Sequence, residues 1–415
     1  MQRSDIAGHT PSKGRNWTVF LVMMTVMLDS MGIGLIIPVT PALLMDVLPD
    51  ATLAQAALWG GILTSIYAFM QFLFGPFLGT LSDQVGRKPV LLVALFVMVG
   101  YYLVMALAHS LWLLLLGRLI GGITAATHST ATALMADISA PEDKATRFGL
   151  LGAGFGMGFV LGPILGGFLG EWGPRAPFYA AAVLAGLNFI MGWLILPETV
   201  TDRIRRQFEW RRANPLGALR TISKFQGLGP MLVVFLLYHI ATAVYASVWP
   251  FFTAERFDWT PGMIGISLTF YGVFFAIVQG SLVKPAIARF GETRTVKIGF
   301  AFEIFALSII AILTNGIVLL AFIPIAALGV IGQPALQAIL SRATADDSQG
   351  VLQGVLSSLT AISMIVAPIT MTWVFAEFTE HKATIYFPGA PFAASALLLL
   401  IALITFIKIS PKAPT

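Results

Sequence analysis

Long runs of apolar residues, separated by short polar breaks, follow one another along the whole chain. A helix needs about 20 mostly apolar residues to cross the hydrocarbon core of a bilayer, and twelve runs approach or reach that length. We predict twelve membrane spans at residues 17–40, 58–78, 89–107, 111–132, 148–169, 176–195, 231–251, 261–281, 296–313, 317–340, 351–371 and 392–409. These spans leave no room for a large water-soluble domain.

The composition supports an all-α polytopic membrane protein. Of 415 residues, 57% are hydrophobic and only 11% are charged, whereas soluble domains carry about 25% charged residues. The chain has no Cys, so disulfide bonds and thiolate metal sites are excluded. The first apolar run is too long for the core of a signal peptide, and we expect it to stay in place as the first span.

The distribution of Lys and Arg predicts the orientation in the membrane. Short loops rich in these residues stay in the cytoplasm. If both termini are cytoplasmic, nearly all of the 25 Lys and Arg lie on that side. The exceptions are Arg175, Arg256 and Lys382 outside, and Arg118 within a span. The net charge of +5 therefore reflects topology, and we expect no nucleic-acid partner.

A long basic interruption divides the spans six and six. We predict an N-terminal six-helix bundle at 1–198, a cytoplasmic central loop at 199–229 and a C-terminal six-helix bundle at 230–415. Phe208 and Trp210, among the basic residues of the loop, suit either an amphipathic segment on the inner leaflet or a solvated linker. Two pseudo-symmetric bundles with a substrate site between them are the architecture of rocking transporters.

The stretch GTLSDQVGRK at 79–88 matches the G-x-x-x-D-x-x-G-R-[RK] signature of major facilitator transporters, between the second and third spans. Its glycines permit a tight turn, and its acid can pair with a cation. We predict that this cluster latches the two halves in one state and releases them in the other, although a plain topogenic turn is the alternative. The predicted latch consists of Gly79, Ser82, Asp83, Gly86, Arg87 and Lys88.

A second motif, GFVLGPILGG at 158–167, lies in the fifth span and resembles a motif of drug/proton antiporters of the same superfamily. Small residues four positions apart let helices approach closely, so simple helix packing is the alternative reading. The motif residues are Gly158, Gly162, Pro163, Gly166 and Gly167.

Three charged residues lie well away from the ends of predicted spans, where a charge is costly and usually functional. At 1.5 Å per residue, Asp29 lies about 18 Å from Trp17, close to the bilayer midplane. We predict that Asp29, Arg118 and Glu303 carry proton coupling. Each has an alternative role. Asp29 could be an acid that a neighbour neutralises for folding only, and Arg118 could serve only as the structural partner of Asp29. The Glu303 side chain could extend to the membrane rim.

Neutral polar groups within the spans are candidates for the cavity wall. His128 and His239 could titrate near neutral pH or serve in packing. Amides can bind substrate or bond between helices, and they occur at Gln71, Gln279, Gln333, Gln337 and Gln353.

From end to end the chain resembles the tetracycline/proton antiporters, which belong to the major facilitator superfamily. The segments that carry the likeness are 28–36, 79–89, 116–124, 148–168, 252–259, 334–337 and 349–360. The resemblance implies export of a tetracycline, as a magnesium chelate, in exchange for a proton across the plasma (inner) membrane. It implies functional roles at Asp29, Gln71, Ser82, Asp83, Arg87, Arg118, Gln279 and Glu303, the last in place of the more usual Asp.

Two positions depart from the family pattern. Tyr101 stands where tetracycline exporters commonly carry an acid, and Phe275 stands where one class has a histidine. Both are predicted to face substrate. We therefore predict a proton-coupled exporter of tetracycline-like or other small amphipathic drugs, with magnesium only as part of the substrate and with no cofactor of its own. A nutrient transporter and a non-transporting receptor are the alternatives. We expect a monomer and no enzymatic activity.

Overall fold

The computed structural model describes residues 13–125, 127–140, 142–200, 205, 207–210, 214–215, 217, 227–380 and 383–410. Its described part contains twelve helices long and apolar enough to cross a membrane, which confirms the prediction. They are α1 Trp17–Val47, α2 Leu53–Val85, α3 Arg87–Leu107, α4 Leu111–Ile138, α5 Thr146–Gly170, α6 Ala176–Ile195, α7 Gly229–Ser247, α8 Pro261–Phe290, α9 Glu292–Ile312, α10 Gly316–Arg342, α11 Gln349–Thr379 and α12 Ala390–Ile409.

Several helices are longer than the apolar runs that predicted them. The runs stop at the first polar residues, whereas α2 and α11 continue beyond them, and at α2 the polar start satisfies its own backbone groups. At the start of α2, the Thr52 side chain accepts a hydrogen bond from Gln55 N and the Gln55 side chain accepts one from Thr52 N. Such reciprocal caps fix where a helix begins.

Four helices that begin on the same side of the bundle carry a side-chain cap at their N-terminus. The caps are Thr52 before α2, Ser110 before α4, Thr260 before α8 and Asn315 before α10. We call this side the far face. The opposite side, where α1 begins and α12 ends, is called the basic face because most described Lys and Arg lie there.

The helices form two halves that repeat the same packing. In the first half α3 packs against α6, and in the second half α9 packs against α12. The halves meet through α2 against α11 and through α5 against α8. These two contacts are exchanged when every helix number is shifted by six, which is the pseudo-symmetry of a doubled six-helix unit.

The halves are in close contact near the far face. A Cβ on Gly61 of α2 would lie 2.6 Å from Pro368 O of α11, and a Cβ on Gly167 of α5 would lie 3.0 Å from Gly265 Cα of α8. Near the basic face, a Cβ on Gly79 would meet no described atom within 4 Å. The halves are therefore packed together at the far face.

Described residues of the central loop contact the basic end of α2. The rings of Phe208 and Trp210 lie 5.4 and 6.1 Å from the ring of Phe77. Most of the loop lies outside the described residues, so its predicted path along the membrane and the domain boundaries at 198 and 229 remain predictions.

Candidate functional site

A cavity of about 390 Å³ lies mainly within the second half and reaches the first half through α5. Helices α7 to α11 supply most of its walls, and Phe159 and Pro163 of α5 and Ile37 of α1 complete it. Glu303 of α9 lines the cavity and is only 1% exposed. The alternative in which Glu303 extends to the membrane rim does not fit this position.

A break in α10 makes room for Glu303. The segment Ala327–Ile331 is a 3-10 turn that follows Pro324 inside the helix. Within this turn Gly329 packs so closely that a Cβ there would lie 2.9 Å from both Cα and Cβ of Glu303. Glycine at this position therefore allows the carboxyl-bearing part of α9 to lie directly against α10.

Aromatic side chains form much of the wall near Glu303. The rings of Tyr245 and Tyr271 stack with centroids 5.5 Å apart, and the ring of Tyr238 stacks on Phe300 at 5.1 Å. All three tyrosines line the cavity. The Tyr245 hydroxyl lies beside the Glu303 carboxyl and interacts with it, although neither group has a partner among the described residues that meets both the distance and the angle of a regular hydrogen bond.

A π-helical turn in α8, Val278–Leu282, brings Gln279 into the cavity wall. Phe275, one helical turn earlier, also lines the cavity and is 39% exposed. Such turns widen a helix locally and are frequent at functional sites. His239 and Gln333 are further polar members of the wall.

A separate polar cluster lies within the first half. It contains Asp29 of α1, Tyr67 of α2, Tyr101 of α3 and Arg118 of α4. The Arg118 guanidinium lies 5.8 Å from the centroid of the Tyr67 ring. Asp29 and Arg118 do not form an ion pair within 4.0 Å, so Arg118 is not a direct salt-bridge partner of this acid.

Glycines position the tyrosines of this cluster. A Cβ on Gly121 would lie 2.9 Å from the Tyr101 ring, and a Cβ on Gly122 would lie 2.6 Å from Tyr67 O. The Tyr101 hydroxyl and Arg118 Nε are both buried without a hydrogen-bond partner in the described part of the chain. Tyr101 thus places a phenol close to the arginine.

The motif at 79–88 forms a charged network at the basic face of the first half. Arg87 Nη1 lies 2.5 Å from Asp83 Oδ1 and 2.6 Å from Ser82 Oγ, while its Nε lies 3.2 Å from Asp137 Oδ2 of α4. The network joins α2, α3 and α4. Among the described residues, the contacts of this network lie within the first half, and the latch across the two halves stays a prediction.

Glu198, just after α6, was not found from the sequence. Its carboxylate accepts hydrogen bonds from the backbone N–H groups of Arg87 and Lys88 at 3.0 and 3.2 Å. It therefore caps the N-terminus of α3, where a negative charge is favourable. Gly86 has φ +125°, and a side chain there would collide with Glu198, which explains the glycine in the motif.

The motif of α5 divides between two partner helices. A Cβ on Gly162 would lie 2.6 Å from Met31 O, and one on Gly166 would lie 2.7 Å from Leu35 Cα. Gly158 also faces α1, against Met27 O, whereas Gly167 faces Pro261 and Gly265 of α8. The small-residue surface therefore packs within the first half and, at its far end, between the halves.

The structure separates the predicted site residues into two groups. Phe275, Gln279, Glu303 and His239 share the cavity, with Gln333 beside them. Asp29, Tyr101 and Arg118 belong to the cluster in the first half. The Gln71 amide lies 3.5 Å from Ala125 O, Gln337 bonds to Gln353 at 3.4 Å, and the side chain of His128 lies outside the described residues.

Sequence reasoning did not identify the cavity tyrosines or Phe159. An aromatic residue in a membrane span is ordinary, and no spacing pattern distinguished these four. Among the described residues there is no group of three or more His, Cys, Asp or Glu side chains placed to hold a metal ion.

Known proteins resemble the chain over nearly its whole length. The family model of the Major Facilitator Superfamily matches residues 19–241 and 231–415. The class C tetracycline resistance protein of Escherichia coli is 40% identical over 87% of this chain and 90% of its own length, and the class G protein of Vibrio anguillarum is 38% identical over 86% and 90%. The structure of the human organic anion transporter MFSD10 covers 94% of this chain and 99% of its own, with a TM-score of 0.67 and 23% identity. The chain therefore belongs to the major facilitator superfamily and, within it, to the family of tetracycline resistance proteins.

Proposed function

We propose that this protein is a proton-coupled antiporter that exports tetracycline-like or other small amphipathic drugs from the cytoplasm by alternating access. The end-to-end likeness to tetracycline resistance proteins carries the proposal. A cavity of the second half that reaches the first half, with a buried acid in its wall, supports it because such acids mark proton and substrate pathways. The protein acts without chemical conversion of its substrate.

The proposal places the basic face in the cytoplasm and both termini with it, in the plasma (inner) membrane, with the protein acting as a monomer. In this orientation the structure represents the state that is closed to the outside. A drug enters from the cytoplasm, the halves rock about the cavity, and a proton returns in exchange. Magnesium takes part only as a component of a chelated tetracycline.

The cluster of Asp29, Tyr101 and Arg118 is proposed to serve proton coupling beside the cavity acid. The Arg118 guanidinium is a fixed positive charge, so its role is electrostatic. Asp29 is the exchangeable member of this cluster. Tyr101 contributes a hydrogen-bond donor instead of a second acid, which leaves one titrating carboxyl here.

Flux in liposomes that contain only this protein tests the proposal. With an imposed pH gradient, tetracycline plus magnesium or another compound of a drug panel should move, and Asp29→Asn should abolish gradient-driven movement while the protein stays folded. Asp50→Asn, an exposed acid in the α1–α2 loop, is the matched control and should transport normally. Normal transport by Asp29→Asn would remove Asp29 from the mechanism. If no compound of the panel responds to the gradient, the proposed function is wrong.

A further inference from the structure

The Glu303 carboxyl has no Lys or Arg opposite it in the described cavity wall. It is 1% exposed, and neither of its oxygens has a hydrogen-bond partner among the described residues. The described lining of the cavity contains no Lys or Arg. An isolated buried carboxylate is strongly disfavoured, so this group needs either a proton or a positively charged guest.

The Thr and Ser hydroxyl groups that line the cavity do not supply a positive charge or a hydrogen bond to this carboxyl. On α11, Thr360 and Ser363 donate their hydroxyl hydrogens to Leu356 O and Leu359 O at 3.0 and 2.9 Å. On α7, the Thr242 hydroxyl donates to Tyr238 O at 3.0 Å. These hydroxyl groups bond within their own helices and are not directed to the carboxylate.

The remaining titratable groups that face Glu303 are three tyrosines and one histidine. Tyr238 and Tyr245 approach it from α7 and Tyr271 approaches it from α8. His239 of α7 has its Nδ1 2.9 Å from Phe235 O of the same helix. On α10, the backbone at Gly329 lies against Glu303 and carries no charge.

The wall also has the shape and chemistry to hold aromatic cations. The stacked pair Tyr245 and Tyr271 lines the cavity together with Phe159 and Phe275, and the negative faces of aromatic rings attract cations. A volume of about 390 Å³ lies within the range of about 300 to 1,000 Å³ for pockets that bind small molecules. A mainly apolar wall with one carboxylate suits a guest that carries one delocalised positive charge.

We infer that this cavity takes a monovalent aromatic organic cation, with its charge against Glu303 and its rings between the tyrosines. The inference rests on the proposed function and names the substrate class of the same site. The Glu303 carboxylic acid gives up its proton as the cation enters, and the cation leaves as a proton returns. One positive charge replaces another, so the exchange at this site moves no net charge and needs no magnesium.

Binding of tetraphenylphosphonium to the purified protein tests the inference. This probe is permanently charged, carries four aromatic rings and cannot chelate a metal. Calorimetry in buffers of different ionisation enthalpy should show about one proton released per probe bound at pH 6, with no effect of magnesium. Glu303→Gln should weaken binding by about tenfold or more and abolish the proton release, because it removes the charge and the proton while keeping the shape.

Two further variants keep the test decisive. Glu303→Asp keeps the carboxyl and should retain proton release with reduced affinity. Glu377→Gln changes an exposed acid of α11 and should bind like the unmodified protein. Equal affinity of the unmodified protein and Glu303→Gln, or binding without proton release in the unmodified protein, would overturn the inference.

The liposome assay separates this inference from the proposed function. Transport of the tetracycline–magnesium chelate by a protein that does not bind tetraphenylphosphonium would refute the cation site and leave the antiporter proposal standing. Proton-linked binding of tetraphenylphosphonium by a protein that moves no compound of the panel in response to the gradient would support the cation site and refute the antiporter proposal.

Discussion

At the scale of single residues, the position of Glu303 depends on the absence of a side chain at position 329. The Gly329 Cα lies in the 3-10 turn of α10, directly against α9. Because even one added methyl group would meet main-chain and Cβ atoms of Glu303, α10 would have to move away from α9. The carboxyl is therefore held by close backbone packing instead of by hydrogen bonds.

We predict that Gly329→Ala destabilises the protein by about 1–3 kcal/mol, the usual cost of overpacking a core, and weakens cation binding by displacing the carboxyl. Thermal unfolding in detergent and calorimetry measure the two effects. Gly100→Ala, in α3, is the control because a Cβ there meets no described atom within 4 Å, and it should unfold at or above the temperature of the unmodified protein. An equal loss in both variants would contradict the packing argument.

Sequence could identify the charged site residues but not the aromatic ones. Asp29, Arg118 and Glu303 stand out because a charge inside an apolar run is costly. Tyr238, Tyr245 and Tyr271 carry no such signal, because tyrosine is common in membrane spans. Only the fold shows that they surround one carboxyl.

At the scale of helices, α5 has glycines that pack against α1 and other glycines at which an added Cβ would meet no described atom within 4 Å. Gly162 lies on the packed side, where a Cβ would meet Met31 O at 2.6 Å. A Cβ on Gly156 of the same helix would meet no described atom within 4 Å. A Gly→Ala change at position 162 therefore tests helix packing and helix propensity together, whereas the same change at position 156 tests helix propensity alone.

Gly162→Ala should lower the unfolding temperature and reduce transport, because the added Cβ would clash with main-chain atoms of α1. Gly156→Ala should leave both unchanged or raise the unfolding temperature slightly, since Ala favours helix over Gly by about 1 kcal/mol. Unfolding and liposome flux of the two purified variants are the measurements. If both variants behave alike, close approach of α5 to α1 does not limit stability.

The sequence predicted all twelve spans, since apolar length alone defines them, and the structure confirms them. It did not predict the 3-10 turn in α10 or the π turn in α8. Both breaks depend on how neighbouring helices pack. Pro324 gave a hint of the first, but proline also occurs within α2, α5 and α11 without a comparable break there.

At the scale of the whole molecule, closure of the far face involves a hydrogen bond between the halves. Glu171 Oε1, at the end of α5, accepts a hydrogen bond from Gly262 N at the start of α8, at 2.7 Å. A second bond between the halves, from Thr269 Oγ1 to Val160 O at 3.0 Å, lies closer to the cavity. The negative charge of Glu171 at a helix N-terminus strengthens the first bond.

Glu171→Ala should shift the population toward a far-face-open state by about tenfold, since a hydrogen bond to a charged group contributes about 1.5–3 kcal/mol. A Cys placed at Ile37, which lines the cavity, reports the change by its labelling rate with a membrane-impermeant thiol reagent applied to the far face. The chain has no other Cys to interfere. Asp50→Ala, an exposed acid on the same face, should leave the rate unchanged. An unaltered rate in Glu171→Ala would show that glycine packing alone closes this face.

The sequence predicted two halves. It could not predict which face of the molecule is closed, because one sequence must support both the state open to the basic face and the state open to the far face. The motif at 79–88 illustrates the limit. Its residues were identified, yet the structure joins Arg87 to Asp83 and Asp137 of its own half. Engagement across the halves remains a prediction for the other state.

The π turn of α8 has a consequence for how such a cavity can diversify. A π turn accommodates one residue more than the α-helical turn it replaces, so α8 absorbs an extra residue at Val278–Leu282. Deleting one residue there would restore a regular α-helical turn, leave the rest of the helix, up to Phe290, in its present orientation and withdraw Gln279 from the cavity wall. A length change of one residue, without any substitution, would then be enough to alter which compounds the protein accepts.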